Sequence, residues 1–569
     1  MNETKYLEKI DEIILDVIFH YGTISLLDLW YELGESCELK EQPVTADGVL
    51  SRLEFLSTNG FIKSEGGEWG YFRAKLSSCK SINVSRNCHM EQINSTRCKT
   101  KIIATIGPTS RSRALLEQMI NAGMNVARLN LSHGSYEDHG EVITTIRSLS
   151  KEMNKSVAIF LDLQGPKIRT GKLKDCKPVM LKRNAIISFT TKKVSGTCDL
   201  VSTTYANLVA DVKKDETLLL ADGLIKLKVV SKTQDIVTCK VVNGGVLREN
   251  TGINLPGCKV TAPCLTPKDK KDLEFGIESG VDYFALSFIR SADDIKHLKS
   301  VLKIKGSDIP VIAKIEKREA VENLDEILEI ADGIMVARGD LGAELRLEQV
   351  PTVQKLIIDK SIRANKPVIT ATQMLETMRD NPVPTRAEVS DVANAIFDGT
   401  DAIMLSGETA TGKYPVEAVR MMASIAAEAE SSPFMKYNIE HDRSREELIT
   451  HAAAQSAVNV LHEVDGKAII SFSVSGKTSK LLSKQRSCKP VYAFTPCIKV
   501  YNRMSMMWGI TPVCIPKFDD TKRLIAASEN LLVEKKLIRQ NDVVVIVTGL
   551  AFTTGSTNLV KIHRVGEED

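Results

Sequence analysis

From Thr100 onward one pattern recurs eight times: a short apolar, β-branched run followed by a stretch of helical period. The runs are 101–106, 125–131, 157–163, 282–288, 311–315, 333–337, 367–371 and 401–405. A parallel strand is buried on both faces, so it reads as a continuous apolar run, and its crossover to the next strand takes a helix. Eight such units predict a (β/α)8 barrel. At 569 residues the chain also exceeds what one core can organise, so further domains are expected.

Their places are where the rhythm breaks. Between the third and fourth runs, residues 170–263 are rich in Val, Thr and Lys with Gly turns and read as short antiparallel strands. This predicts an all-β domain inserted in a barrel loop. Its root is at the C-terminal end of a strand, where barrels carry their sites, so it is expected to act as a lid. After the eighth run, 415–430 reads as an amphipathic helix. Residues 435–569 then alternate helices with parallel-type strands at 468–473, 491–494 and 543–547, a separate α/β domain. The barrel itself takes 100–169 and 264–434. The expected fold class is α/β: a (β/α)8 barrel with an inserted all-β lid, a C-terminal α/β regulatory domain and a small N-terminal winged-helix-like domain.

No apolar run approaches the roughly 18 residues of a membrane span. Glu3, Glu8, Asp11, Glu12 and Asp16 interrupt the first twenty residues, unlike a signal or transit peptide, so a cytoplasmic protein is expected. The twelve cysteines include no CxxC pair and read as free thiols. Cys79, Cys88, His89 and Cys98 cluster in a stretch, 77–99, that otherwise reads as a linker, but at spacings that fit no zinc pattern. Residues 1–76 hold seven more acidic than basic side chains and the remainder ten more basic than acidic, so the larger part suits anionic ligands.

Polar residues collect where the barrel strands end. The second strand closes in Arg128, Asn130, Ser132 and His133; the third in Asp162, Leu163, Gln164, Lys167 and Arg169; the fifth in Lys314 and Glu316; the sixth in Arg338, Gly339 and Asp340; the seventh in Thr372 and Gln373. A strand-end Arg or Asp taken singly is more often a surface ion pair, but five strands ending alike are hard to explain that way. Glu316 and Asp340 suit one hard divalent cation, with substrate oxygens and water completing its shell. Lys314, Arg128 and Arg169 face the same space. Cations around a divalent metal are what phosphoryl transfer requires, because negative charge on the moving group must be neutralised. Residue chemistry alone leaves two readings open: a metal-assisted phosphoryl transferase, or a lyase acting on a phosphorylated acid.

Longer segments decide between them. KIIATIGP from Lys101, AGMNVARLNLSHG from Ala122, LDLQGPKIRTG from Leu161, AKIE from Ala313, VARGDLG from Val336, ITATQMLETM from Ile369 and NPVPTRAEVSDVANAIFDGTDAIMLSGETA from Asn381 strongly resemble pyruvate kinases, in order, from about residue 100 to the C-terminus. The resemblance implies transfer of the phosphoryl group of phosphoenolpyruvate to ADP, giving pyruvate and ATP, with Mg (or Mn) as cofactor and a homotetrameric assembly. It implies that Lys314 contacts the transferring group and stabilises the developing enolate. Glu316 and Asp340 would bind the metal, and backbone N–H groups at Gly339 and Asp340 the substrate carboxylate. Thr372 would face the enolate carbon, Arg128, His133 and Arg169 the phosphates of substrate and nucleotide, and Asp222 would swing in with the lid.

Three departures carry information. Many members have Asn where this chain has Lys317, and a nucleotide-binding lysine where it has Thr251. Members that need K⁺ usually read Asp-Thr-Lys-Gly-Pro-Glu at the third strand, against Asp162-Leu163-Gln164-Gly165-Pro166-Lys167 here. The family's monovalent site corresponds to Asn130, Ser132, Asp162 and the carbonyl of Leu163. Lys167 adds a fixed positive charge beside it, so an ammonium is expected to replace K⁺.

In the C-terminal domain, SFSVSGKTS from Ser471 follows a strand and opens a helix, a cradle for phosphate. Its position resembles the family's effector loop and nominates Ser473, Ser475, Lys477, Thr478 and Ser479. TGLAFTTGSTN from Thr548 lacks the Trp and Arg of animal forms that respond to fructose 1,6-bisphosphate, so a sugar or nucleotide monophosphate is the expected effector.

Residues 1–76 lie outside the family plan. Leu7, Ile10, Ile13, Ile14, Val17 and Ile18 share one helical face; a second short helix is expected at 25–33, and a third from Thr45 turns Val49, Leu50, Leu53 and Leu56 inward. Two strands about a Gly-Gly turn follow Phe61. Three helices and a hairpin resemble a winged helix, a common DNA-binding fold. The acidic balance opposes phosphate attraction, so a protein contact is favoured over nucleic acid. The rival for the whole chain is a metabolite sensor built on a retired barrel, but retirement normally removes the catalytic lysine or a metal carboxylate, and Lys314, Glu316 and Asp340 are all present.

Overall fold

The computed structural model describes residues 23–25, 53, 62–65, 68–71, 98–221, 223–435, 448–549 and 557–567. The chain divides into two compact units, Met1–Ile93 and Asn94–Asp569.

In the first unit, strands Ile62–Glu65 and Glu68–Tyr71 pair antiparallel, as the sequence predicts. Glu68–Tyr71 also pairs with Thr23–Ser25, a strand the periodicity did not reveal. The helix expected at 25–33 therefore does not begin at Ser25, which ends that strand; the rest of it lies outside the described residues. Of the third helix, Leu53 is described, helical and buried. The first helix and Cys79, Cys88 and His89 are likewise outside.

In the second unit eight parallel strands close a barrel. They are β1 (Lys101–Thr105), β2 (Met124–Asn130), β3 (Ala158–Asp162), β4 (Tyr283–Leu286), β5 (Val311–Ile315), β6 (Gly333–Ala337), β7 (Val368–Ala371) and β8 (Ala402–Leu405). Each pairs with its sequence neighbours, and β4 against β3 bridges the inserted domain. Burial on both faces explains the continuous apolar runs. Ile103, Val126, Phe160, Ile312, Met335 and Ile369 fill the barrel interior. Met506, from the C-terminal domain, joins that interior cluster.

The inserted segment carries a six-stranded sheet and a two-stranded one around its own core. In Ile225–Lys232 the pattern is visible residue by residue: Ile225, Leu227 and Val229 point inward while Lys226 and Lys228 are exposed. The strands are antiparallel as expected, except that Ile186–Thr190 and Leu200–Ser202 run parallel.

The C-terminal domain is a five-stranded sheet ordered Ile510–Cys514, Val491–Thr495, Ala468–Phe472, Val543–Gly549, Thr557–Arg564, with only the last strand antiparallel. Buried ionic contacts join it to the barrel: Lys484 Nζ lies 2.5 Å from Asp401 Oδ2, and Arg486 Nη2 lies 3.1 Å from Asp401 Oδ1. The barrel side begins slightly before Thr100. Lys99, within the stretch that reads as linker, donates its backbone N–H to Glu430 at 2.7 Å.

Candidate active site

The polar strand ends converge, as barrel geometry requires. Arg128, at the end of β2, donates through Nε (2.9 Å) and Nη2 (2.6 Å) to Asp162 Oδ2 and through Nη1 to Thr105 Oγ1 (2.9 Å). The other oxygen of Asp162, at the end of β3, is 3.3 Å from Lys314 Nζ. That ammonium also stands 2.8 Å from Glu316 Oε1 and donates to Ser287 Oγ at 2.8 Å. Arg128, Asp162, Lys314 and Glu316 thus form one charge-alternating chain across three strands, nearly closed to solvent.

The burial makes each charge depend on its neighbours. Burial alone would lower the Lys314 ammonium and raise the Asp162 carboxyl. For Lys314, the carboxylates of Asp162 and Glu316 outweigh burial and push it up. For Asp162, the cations of Lys314 and Arg128 outweigh burial and hold it below the usual carboxylate range. Lys314 is therefore a permanent cation at neutral pH. Glu316 goes the other way: burial raises it, Lys314 counteracts, and the charge of nearby Asp340 adds repulsion.

The two oxygens of Glu316 meet different partners. Oε2 accepts the Phe288 N–H at 2.7 Å, aimed by a backbone with φ of 55° at Phe288. Oε1 is buried, with the Lys314 ammonium 2.8 Å away and no further hydrogen-bond donor. A buried carboxylate beside a second one, that of Asp340, fits a hard divalent cation. Among the described residues no group of three or more His, Cys, Asp or Glu could hold a metal, and Glu316 and Asp340 would supply two ligands at most.

Thr372 follows β7 with φ of 68°. Its Oγ1 accepts the Gly339 N–H at 2.8 Å and donates to the Ala371 carbonyl at 2.6 Å. Gly339 and Asp340 lie in the first turn of α1 (Arg338–Glu344). One of the two N–H groups expected to take a carboxylate is thus engaged by the Thr372 hydroxyl, which a ligand would have to displace or join.

His133 is exposed. Partial desolvation, then the cations Lys167, Arg169 and Arg128, lower its pKa, which puts these four side chains in one neighbourhood. Arg169 sits at the lid root, bridged to Gly252, and its buried Nε has no partner, as expected of a group waiting for an anion. Lys167, Ile253, Leu255, Arg290, Lys317 and Asp340 line one cleft. Lys317 forms a tight ion pair with Glu344 on α1. Thr251 donates its backbone N–H to Thr170 Oγ1 at 2.9 Å, and its carbonyl accepts the Thr170 N–H at 2.8 Å. Asp222 lies outside the described residues. Asn130 Oδ1 accepts the Ser132 N–H at 3.1 Å, and the Leu163 carbonyl accepts the Ser287 hydroxyl at 2.8 Å.

Ser287 is the residue the sequence reading missed. It touches Lys314, Leu163 and, at 3.4 Å, Asp162, joining the end of β4 to its two neighbours. Its signal is faint: one hydroxyl at the close of an otherwise apolar run.

The nominated effector residues are remote from this cluster, in the C-terminal domain. Gly476, with φ of 82°, donates its N–H to Ser473 Oγ at 2.9 Å and precedes the helix α2 (Lys477–Lys484). Ser475 is exposed and Thr478 buried. Ser479 is buried with no partner for its Oγ.

Comparison with known proteins agrees with this architecture. Residues 97–419 match the model of the pyruvate kinase barrel domain and 451–563 that of the pyruvate kinase alpha/beta domain. The chain is 46% identical over 475 residues to a pyruvate kinase of Geobacillus stearothermophilus, covering 82% of this chain and 81% of that one. It is 44% identical over 475 residues to one of Staphylococcus epidermidis, covering 83% and 81%. A crystal structure of a pyruvate kinase from Cryptosporidium parvum superposes with a TM-score of 0.78 at 37% identity, covering 83% of this chain and 97% of that one.

Proposed function

The chain belongs to the pyruvate kinase family, and on that premise we propose how its own residues transfer the phosphoryl group of phosphoenolpyruvate to ADP. The observation that carries the reading is Lys314, a buried, permanently charged ammonium held between Asp162 and Glu316. Arg128 and Lys314 bind the phosphoryl group from the barrel floor. Arg169 and His133 meet the ADP phosphates at the lid root, His133 as a neutral hydrogen-bonding ring. An oxygen of the ADP terminal phosphate attacks phosphorus, the P–O bond of phosphoenolpyruvate breaks, and Lys314 stabilises the enolate oxygen left behind. A proton then reaches the enolate methylene carbon from the side of Thr372, giving pyruvate. Glu316 and Asp340 would hold Mg²⁺ (or Mn²⁺), whose charge offsets that of the phosphoryl oxygens.

Lys167 supplies the fixed cation that relatives take from solution, so K⁺ is not required. A monophosphate effector binds between Ser473, Ser475, Lys477, Thr478 and Ser479 and modulates the enzyme, which works as a cytoplasmic homotetramer in glycolysis. Among the described residues no helix is long and apolar enough to cross a membrane. Residues 1–76 serve a protein contact rather than nucleic acid.

Lys314→Met tests the assignment. Removing a charge aimed at the transition state costs on the order of 10²-fold or more in turnover. The variant should lose pyruvate formation by at least that factor with an unchanged circular dichroism spectrum. Near wild-type turnover would place the chemistry elsewhere.

A further inference from the structure

Thr372 and Gln373 are consecutive non-glycine residues with φ of 68° and 54°, in the left-handed region that L side chains rarely adopt. Neither has the short Asn or Asp side chain that eases such a backbone. Something outside the segment must hold it there. Both carbonyls turn toward the guanidinium of Arg338. Nη2 donates to the Thr372 oxygen at 2.7 Å and to the Gln373 oxygen at 2.9 Å, and Nε reaches the Thr372 oxygen at 3.1 Å. The far side of the guanidinium is held in turn: Nη1 donates to both oxygens of Asp391, at 2.8 and 2.6 Å, from the helix Arg386–Phe397. Arg338 is itself nearly buried.

The adjoining residue completes the clamp. The Gly339 N–H holds the Thr372 hydroxyl, so two successive residues of α1 fix the backbone and the side chain of Thr372 together. We infer that Arg338 is a positioning residue for the proton-transfer half of the reaction, locking the strained Thr372–Gln373 turn so that the Thr372 hydroxyl faces the enolate carbon. Arg338 touches no reacting atom; it acts through Thr372, and the inference rests on the role proposed for that hydroxyl. A lysine cannot replace it, because one ammonium lacks the planar fork that serves two carbonyls and a carboxylate at once.

The two half-reactions can be read separately. Protonation of the enolate in the forward direction is, in reverse, removal of a proton from the pyruvate methyl group. In D₂O, with ATP and Mg²⁺ present, the enzyme should therefore exchange methyl hydrogen for deuterium, observable by NMR, while ATP formation from phosphoenolpyruvate reports phosphoryl transfer. Positioned acid–base groups contribute roughly 10²–10⁴-fold. Arg338→Lys should slow methyl exchange at least tenfold more than it slows ATP formation. Asp391→Asn, which leaves the guanidinium and weakens its anchor, should give the same imbalance in smaller measure, and it carries the test should Arg338→Lys lose its circular dichroism spectrum. Equal losses in the two assays, or no loss in either, overturn the inference. Thr372→Ala separates it from its premise: exchange unaffected by Thr372→Ala refutes the role of the hydroxyl, whereas exchange lost in Thr372→Ala but kept in the Arg338 and Asp391 variants refutes the clamp alone.

Discussion

Lys314 and Lys167 sit in different surroundings, the first buried and the second exposed. Lys314 is fixed by contacts to Asp162, Glu316 and Ser287. Lys167 is exposed at the cleft, on the third-strand loop that also shapes the pKa of His133. At constant ionic strength, turnover should be nearly the same in K⁺ and in a bulky organic cation. Lys167→Glu should create a K⁺ requirement, partial because Leu163 and Gln164 also differ from the dependent pattern; a wild-type protein almost inactive without K⁺ would contradict this. At this scale, charged residues at strand ends were legible because such groups have no structural reason to gather there. Ser287 and the Arg338 clamp were not. A single serine in an apolar run carries no pattern, and a guanidinium bound to carbonyls serves a backbone conformation that side-chain identities do not announce.

The barrel strands were legible almost to the residue, since burial on both faces writes each of them as an apolar run; 311–315 and 333–337 coincide with β5 and β6. The short strand Thr23–Ser25 was not, because three residues show no period and pairing with Glu68–Tyr71 is a long-range event. The parallel pair within the lid escaped for the same reason. The sequence reads the loop before α2 as a phosphate cradle from Gly476, the hydroxyls and Lys477. In the folded chain α2 spans from that loop to Lys484, whose ammonium is buried against Asp401 at the start of β8, so the helix ties the cradle to the barrel. Breaking a buried ion pair of this kind costs about 3–5 kcal/mol, which makes the joint stiff. A sugar monophosphate or AMP should lower the phosphoenolpyruvate concentration needed for half-maximal rate. Lys477→Glu puts negative charge against the effector phosphate and should abolish that response. An equal response in the variant, or none in the wild type across a metabolite screen, counts against the site.

For the whole molecule, the division at Ile93–Asn94 and the family match beginning at residue 97 set an acidic extension apart from the part of the chain that matches the family. Deleting residues 1–76 should leave turnover intact, with any loss confined to assembly, effector response or partner binding. Nonspecific DNA affinity comes from neutralising phosphates, which an excess of seven acidic side chains opposes. Fluorescence anisotropy with random duplex DNA should show no micromolar binding at physiological salt. Such binding, falling steeply with added salt, would contradict the protein-contact reading. The account stands most directly on pyruvate formation by the purified full-length chain, followed through coupled NADH oxidation, with the truncated chain beside it. It predicts pyruvate from phosphoenolpyruvate only when ADP is present, at equal rates in both chains, lost on chelation of divalent cations and restored by Mg²⁺. Pyruvate released without ADP, or a rate indifferent to chelation, would contradict it.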